Sequence, residues 1–160
     1  MTSVSPDGLQ FAFTMANERE MWVADIDGNG PREVADAGAK NWFSNIEWSP
    51  DGSHLLYIKR VPTADHLQNS IEIQDVHNGS TTTLISDDSL VSLNWLHDGR
   101  ILYVKHESGT NGDTCRYWIA RLNSAFAKFS TLPQQLTQDN GSCISSISAT
   151  DDGKRLYFLK

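Results

Sequence analysis

Trp48-Ser49-Pro50-Asp51-Gly52, running on through Ser53-His54 into Leu55-Leu56-Tyr57-Ile58, is the stretch on which the reading of this chain turns. Each residue of the turn has a separate job. Pro presets φ for an early turn position, Asp accepts backbone N–H groups two residues on, and Gly tolerates positive φ. A tight turn followed at once by an apolar run is a hairpin entering a strand. The same arrangement occurs three more times. Val4-Ser5-Pro6-Asp7-Gly8 precedes Phe11-Ala12-Phe13, Trp95-Leu96-His97-Asp98-Gly99 precedes Ile101-Leu102-Tyr103-Val104, and Ala149-Thr150-Asp151-Asp152-Gly153 precedes Leu156-Tyr157-Phe158-Leu159.

The turn aspartates Asp7, Asp51, Asp98 and Asp152 lie 44, 47 and 54 residues apart. Periods of about 40–50 residues suit a four-stranded propeller blade. The rest of each repeat fits. A second strand follows the first: Met21 to Asp25, Ile71 to Val76, Tyr117 to Leu122. In the middle copy Ile71 and Ile73 alternate with Glu72 and Gln74, which predicts a half-buried strand. Asp27-Gly28-Asn29-Gly30 and His77-Asn78-Gly79 read as hairpin turns. Arg32-Glu33-Val34, Thr81 to Ile85 and Gln135-Leu136-Thr137 supply a third, more polar strand. A lead-in strand (Phe43 to Trp48, Leu90 to Trp95, Cys143 to Ser148) closes the unit. Ser124 to Phe129 reads as part of a long hairpin loop.

The expected fold is therefore all-β. It is a β-propeller segment of three four-stranded antiparallel blades plus part of a fourth, over a single domain, 1–160. The repeats fall at about 4–47, 48–94, 95–148 and 149–160. The first and last blades are expected to be incomplete. Propellers usually close with four to eight blades, so the segment is either open or completed by additional blades.

The aspartates resemble a repeated acidic site, but their spacing from Gly assigns them to their own turns. Gly8, Gly52, Gly99 and Gly153 belong to the same turns. Trp48 and Trp95, with Val4 and Ala149 in the equivalent places, predict packing between blades.

The 160 residues are 39% hydrophobic and 21% charged, with a formal net charge of -7. That length suffices for a core without staples. The acidic balance argues against nucleic acid or an anionic membrane as partner, since both call for a basic face. No apolar run approaches the roughly 20 residues of a membrane helix, so direct membrane insertion is not expected. Met1 to Pro6 lacks the basic and apolar regions of a signal peptide. Cys115 and Cys143 allow one bridge, and their spacing leaves open whether they meet.

Chemistry is sparse. No Gly-x-Ser-x-Gly elbow and no protein-kinase signature set is present. The five histidines do not fall at ligand spacing with a cysteine pair. Asp65-His66 and His106-Glu107 are expected on one face, but the default for them is solvated loop rather than metal ligand. No metal, no cofactor and no catalytic residue is expected. Asn78-Gly79-Ser80 and Asn140-Gly141-Ser142 match the glycosylation pattern, a short motif that a hairpin turn explains as well.

Strand order places the Asp-Gly turns at one end of the blades. The loops after the first strand lie at the other end, with the inter-blade connectors. Two of those loops read as long, Arg60 to Asn69 and His106 to Thr114. Connectors at the same end carry Asn41-Trp42, Asp87-Asp88 and Asp139-Asn140. Exposed loops on a rigid scaffold are where binding concentrates. The candidate partner-binding residues are Trp42, Arg60, Asp65, His66, His106, Glu107 and Asp113.

Trp48-Ser49-Pro50-Asp51-Gly52, Trp22 to Gly28 and Gln135-Leu136-Thr137 together resemble the TolB-like, WD-like propeller repeat. The likeness spans essentially the whole chain. Leu93 to Tyr103, Trp118 to Leu122 and Ser145 to Leu156 look closer still to the C-terminal propeller of acidobacterial receptor-type serine/threonine kinases. In that family the propeller is a non-catalytic sensory or partner-binding region behind a kinase domain and a membrane helix. Related propellers also follow winged-helix DNA-binding domains. The resemblance implies a binding module for a protein or small ligand, from a larger receptor-type protein in an extracytoplasmic, periplasmic setting. The alternatives are a propeller gating access to a peptidase domain, and a half-propeller that self-assembles, for instance as a homodimer.

Overall fold

The structure, a computed structural model, describes residues 1–109, 112–136, 143, 146–150 and 154–159. It is all-β: no helix occurs among the described residues. The strands are β1 (Thr2–Val4), β2 (Gln10–Met15), β3 (Glu20–Asp25), β4 (Arg32–Asp36), β5 (Trp42–Trp48), β6 (His54–Pro62), β7 (Leu67–Asp75), β8 (Thr81–Ser86), β9 (Leu90–Trp95), β10 (Arg100–Gly109), β11 (Gly112–Arg121), β12 (Gln134–Gln135), β13 (Ser146–Ala149) and β14 (Leu156–Leu159). They form three four-stranded antiparallel sheets in the orders β1-β2-β3-β4, β5-β6-β7-β8 and β9-β10-β11-β12. β13 and β14 make a two-stranded pair. The sheets are open rather than closed on themselves.

The sheets are offset from the sequence repeat by one strand. Each lead-in strand pairs with the strand that its Asp-Gly turn leads to: Trp48 opposes Leu55, and Trp95 opposes Ile101. A tight turn joins neighbours in one ladder, so the turn lies inside a sheet rather than at its border. The first sheet, expected to be incomplete, has all four strands for this reason, because Thr2–Val4 pairs with Phe11–Phe13.

The turns are built alike. Asp7 Oδ1 accepts from Ser5 Oγ (2.6 Å) and Leu9 N (3.0 Å). Asp51 Oδ1 accepts from Ser49 Oγ (2.6 Å), Ser53 N (3.0 Å) and Ser53 Oγ (2.7 Å). Asp98 lacks the serine. Its Oδ1 accepts from Arg100 N at 3.0 Å and its Oδ2 from Arg100 Nε at 2.6 Å. Gly8, Gly52 and Gly99 sit at φ +72°, +73° and +82°, where a Cβ would be strained. Asp152 and Gly153 lie outside the described residues, as do Asp139-Asn140 and Asn140-Gly141-Ser142.

The chain divides into two compact units, Met1–Asp88 and Ser89–Lys160. In the first, the core lies between the facing sides of two sheets. Ala12, Met21 and Val23 of the first sheet meet Phe43, Ile46, Trp48, Leu55 and Tyr57 of the second. Each fully buried apolar side chain contributes about 1.5–3 kcal/mol. Phe43 and Tyr57 meet edge-on at 5.0 Å. Trp48 is buried, and its indole N–H donates to Ser3 O at 3.0 Å.

In the second unit Leu96, Leu102, Val104, Cys115, Tyr117 and Ile119 form the core, with Ala149 and Leu156 packed against it. Cys115 and Cys143 form a disulfide, their Cα atoms 4.8 Å apart. The Ser124–Phe129 segment is a loop closed by the Leu122–Phe129 bridge. Its Phe126, at φ +52°, meets Trp95 edge-on at 5.7 Å.

Two further expectations change. The stretches expected as long loops are extended hairpins. Arg60 pairs with Asn69, Val61 with Gln68 and Pro62 with Leu67, leaving residues 63–66 as the turn. β10 and β11 pair as far as Gly109 and Gly112. Their polar composition reflects strand ends running past the core, and the ladder satisfies their backbone groups. The second expectation, a half-buried strand at Ile71–Gln74, fails because both faces are buried: Ile71 0%, Glu72 9%, Ile73 2% and Gln74 2% exposed. Glu72 and Gln74 point toward the first sheet, where hydrogen bonds hold them. Tyr57 Oη donates to Glu72 Oε2 at 3.4 Å and Ser70 Oγ to Glu72 Oε1 at 3.0 Å. Gln74 Nε2 donates to Val34 O.

Candidate functional site

In the first unit the ends of β2–β3 and β6–β7 and the connectors after β4 and β8 lie at one end of the sheets. Trp42 opens β5 there, partly exposed and directly opposite Arg60 on β6. Arg60 is held from two sides. Its Nε donates to Ser44 Oγ at 2.9 Å and its Nη1 to Asn69 Oδ1 at 3.2 Å. Asn69 is itself buried, and its amide N–H donates to Asp88 O at 2.8 Å. Burial lowers the Arg60 pKa from its ordinary value, and the carboxylate of Glu18 opposes that shift. A guanidinium still charged, partly desolvated and fixed in direction is a good receptor for a carboxylate or a peptide carbonyl.

His66 lies on the exposed turn that closes the β6–β7 hairpin. Its Nε2 is 3.4 Å from Asp88 Oδ2, and its Nδ1 is 3.3 Å from Thr63 Oγ1. Thr63 N donates to His66 O at 2.9 Å, which closes the turn. Asp65 is exposed on the same turn.

Sequence reasoning missed the β2–β3 turn. Ala16, Asn17 and Glu18 have φ of +51°, +60° and +66°, three left-handed residues in succession with no glycine. Such conformations cost roughly 1–2 kcal/mol each outside glycine and persist only where the surroundings impose them. Here Glu18 O accepts from Phe43 N at 2.8 Å, and Arg19 reaches Ala16 O and Ala39 O. Only Asn17 carries a sequence signal for this conformation. Ser44 and Asn69, which aim Arg60, become visible only once the register of β5–β6–β7 is known.

In the second unit His106, Glu107 and Asp113 lie near the tip of the β10–β11 hairpin. His106 Nε2 is 3.4 Å from Asp113 Oδ2, and Arg116 Nη2 is 2.9 Å from Glu107 Oε2. All four are cross-strand neighbours on one ladder. Of the seven residues named from sequence, Trp42, Arg60, Asp65 and His66 thus share one end of the first unit. His106, Glu107 and Asp113 share a hairpin tip of the second.

The arrangement is one of ion pairs and preset donors. Among the described residues no group of three or more His, Cys, Asp or Glu is placed to hold a metal ion. No described helix is long and apolar enough to cross a membrane.

Neither a protein-family profile nor a curated protein matches this chain. Solved structures do. TolB from Acinetobacter baumannii matches 97% of this chain over 34% of its own, at 21% identity and a TM-score of 0.64. The putative TolB of Agrobacterium tumefaciens matches 98% over 52%, at 19% identity and a TM-score of 0.70. A chain of a nidogen/laminin complex matches 98% over 53%, at 19% identity and a TM-score of 0.66. This chain thus spans about half or less of the structures it resembles. At these identities the likeness establishes the fold alone: the sheets are β-propeller blades, similar to those of the TolB structures.

Proposed function

We propose that this chain is a non-catalytic binding module, the sensor or interaction part of a larger receptor-type protein, and that it takes a protein or small ligand at the loop end of its blades. The observation that carries this reading is the preset Arg60, fixed by Ser44 and Asn69 beside the partly exposed Trp42. An arginine held in one direction next to an aromatic side chain is a common anchor at protein interfaces. The left-handed turn at Ala16–Glu18 supports it, because strain of this kind concentrates at binding loops. The Cys115–Cys143 bridge fits an oxidising, extracytoplasmic compartment.

A peptide library displayed on phage and selected on the immobilised chain tests the reading. Selected peptides are expected to lose binding to Arg60→Met and Trp42→Ala while keeping it to Lys128→Met. Peptides indifferent to Arg60 and Trp42 would overturn the assigned surface, and a hydrolase or kinase activity of the chain would overturn the non-catalytic assignment. A second reading, access-gating for a peptidase domain, has one support: the solved neighbours include an acylaminoacyl peptidase of Pyrococcus horikoshii. An α/β-hydrolase elbow encoded in the same reading frame would favour gating.

A further inference from the structure

An asparagine or aspartate followed by glycine is open to attack by its own backbone. The glycine nitrogen, once its proton leaves, can bond to the side-chain carbon Cγ, and glycine has no Cβ to hinder the approach. This chain is rich in the dipeptide because its turns depend on it. Six such junctions lie among the described residues: Asp7-Gly8, Asp27-Gly28, Asn29-Gly30, Asp51-Gly52, Asn78-Gly79 and Asp98-Gly99.

In five of them the turn itself holds the glycine N–H. Gly8 N donates to Ser5 O at 2.9 Å, Gly28 N to Asp25 O at 2.7 Å, Gly52 N to Ser49 O at 2.9 Å, Gly79 N to Asp75 O at 3.0 Å and Gly99 N to Leu96 O at 2.9 Å. A hydrogen-bonded amide gives up its proton only when its turn opens. Gly30 is the exception. It is exposed, and its N–H has no partner among the described residues.

The two asparagines differ in the same sense. Asn78 is tied at both ends of its amide: Nδ2 donates to Asp75 Oδ2 at 3.0 Å, and Oδ1 accepts from Ser80 N at 2.7 Å. Asn29 is held through its nitrogens alone, its backbone N donating to Asp27 Oδ1 at 3.0 Å and its Nδ2 to Asp27 Oδ2 at 2.8 Å. The aspartates of the other junctions are ionised at neutral pH, and a carboxylate is a poor electrophile.

We propose that Asn29 is a modification site, converted spontaneously to a mixture of aspartate and isoaspartate. The bond from Gly30 N to Asn29 Cγ forms, the Cγ–Nδ2 bond breaks, and the glycine proton passes through water to the departing ammonia. Water then opens the cyclic imide at either carbonyl. One opening leaves aspartate; the other routes the main chain through the side chain. Either product sets a carboxylate beside Asp27 and removes the donor to its Oδ2. The isoaspartate also takes Asn29 O, the acceptor for Asp25 N at 3.0 Å, out of the main chain. The hairpin that loosens joins β3 to β4, the edge strand of its sheet. The site lies at the Asp-Gly end of the blades, away from Trp42 and Arg60, and stands independently of the function assigned above.

The test is incubation of the whole chain in mildly alkaline buffer, followed by tryptic mass spectrometry with electron-transfer fragmentation, which tells isoaspartate from aspartate. Peptide 20–32 carries Asn29, and peptide 61–100 carries Asn78. Conversion is expected about tenfold faster at Asn29 than at Asn78, the ratio that about 1.4 kcal/mol of turn opening gives. In concentrated urea, where no turn protects either residue, the two rates should become equal. Equal rates in the folded chain overturn the proposal, as does an Asn29 that stays intact there. A difference of the same size in urea also overturns it, because it would assign the effect to flanking residues rather than to the fold.

Discussion

Trp48 of the second sheet donates its indole N–H to the carbonyl oxygen of Ser3 in the first, at 3.0 Å. The bond joins the lead-in strands of two successive blades, and the ring fills the space between them. The turn next to it closes a hairpin within the second sheet, whereas this side chain bridges the two sheets.

Trp48→Phe keeps most of the apolar area and removes the donor, so it is expected to cost about 1–2 kcal/mol, part of it from the unpaired Ser3 carbonyl. Trp48→Ala is expected to cost about 3–5 kcal/mol. Urea unfolding of the parent and the two variants measures both losses, and a Trp48→Phe variant as stable as the parent would show that the hydrogen bond contributes nothing.

Asp51 links the fold to pH. Burial pushes its carboxyl up, but hydrogen bonds from the Ser49 and Ser53 side chains and the Ser53 backbone together hold it below its ordinary value. A carboxylate with a folded pKa below the unfolded value of about 3.9 stabilises the fold fully above that value. The contribution disappears as pH falls through the folded pKa. Asp51→Asn is therefore expected to be less stable than the parent at neutral pH, by about 1 kcal/mol. The gap should narrow steadily below pH of about 4. Stability curves from neutral to acid pH check this; a constant gap would assign the loss to the turn geometry alone.

Ala16→Gly reverses the usual rule that glycine weakens a fold. At φ +51° the alanine is strained, and glycine relieves roughly 1–2 kcal/mol against an unfolded-chain cost of about 0.4–1 kcal/mol. A net gain of about 0.5–1 kcal/mol is expected, read as a higher Tm. A lower Tm would mean that the left-handed turn is not adopted.

The Cys115–Cys143 bridge spans 28 residues. Closing a loop of that size restricts the unfolded chain enough to stabilise the fold by roughly 3–4 kcal/mol. The double variant Cys115→Ser/Cys143→Ser is expected to lose that amount in urea unfolding. The parent should lose the same amount on reduction and show no free thiol before it.

The sequence showed the turns and the strands after them most clearly, because Pro, Asp and Gly each act locally. Glu72 and Gln74 escape a reading from periodicity for the opposite reason. Alternation of polar and apolar residues identifies a face, but a polar face is buried once Tyr57, Ser70 and Val34 supply partners. The stretches from Arg60 and His106 look like loops in the sequence because polar strand ends and loops have the same composition. Trp42, Arg60, Asp65 and His66 were identifiable as residues at one end of the sheets. The way Arg60 is aimed was not, since Ser44 and Asn69 meet it only through pairing across β5, β6 and β7.

The one-strand offset between repeat and sheet decides where this chain tolerates rearrangement. A gene duplication or an engineered transplant cut at the Asp-Gly turns would carry a strand away from its ladder partner and leave bare edges in both donor and host. Cut instead at the connectors, residues 37–41 and 87–89, each transferred piece would be a whole sheet with every ladder intact. The unit that repeats in the letters is not the unit that survives being moved.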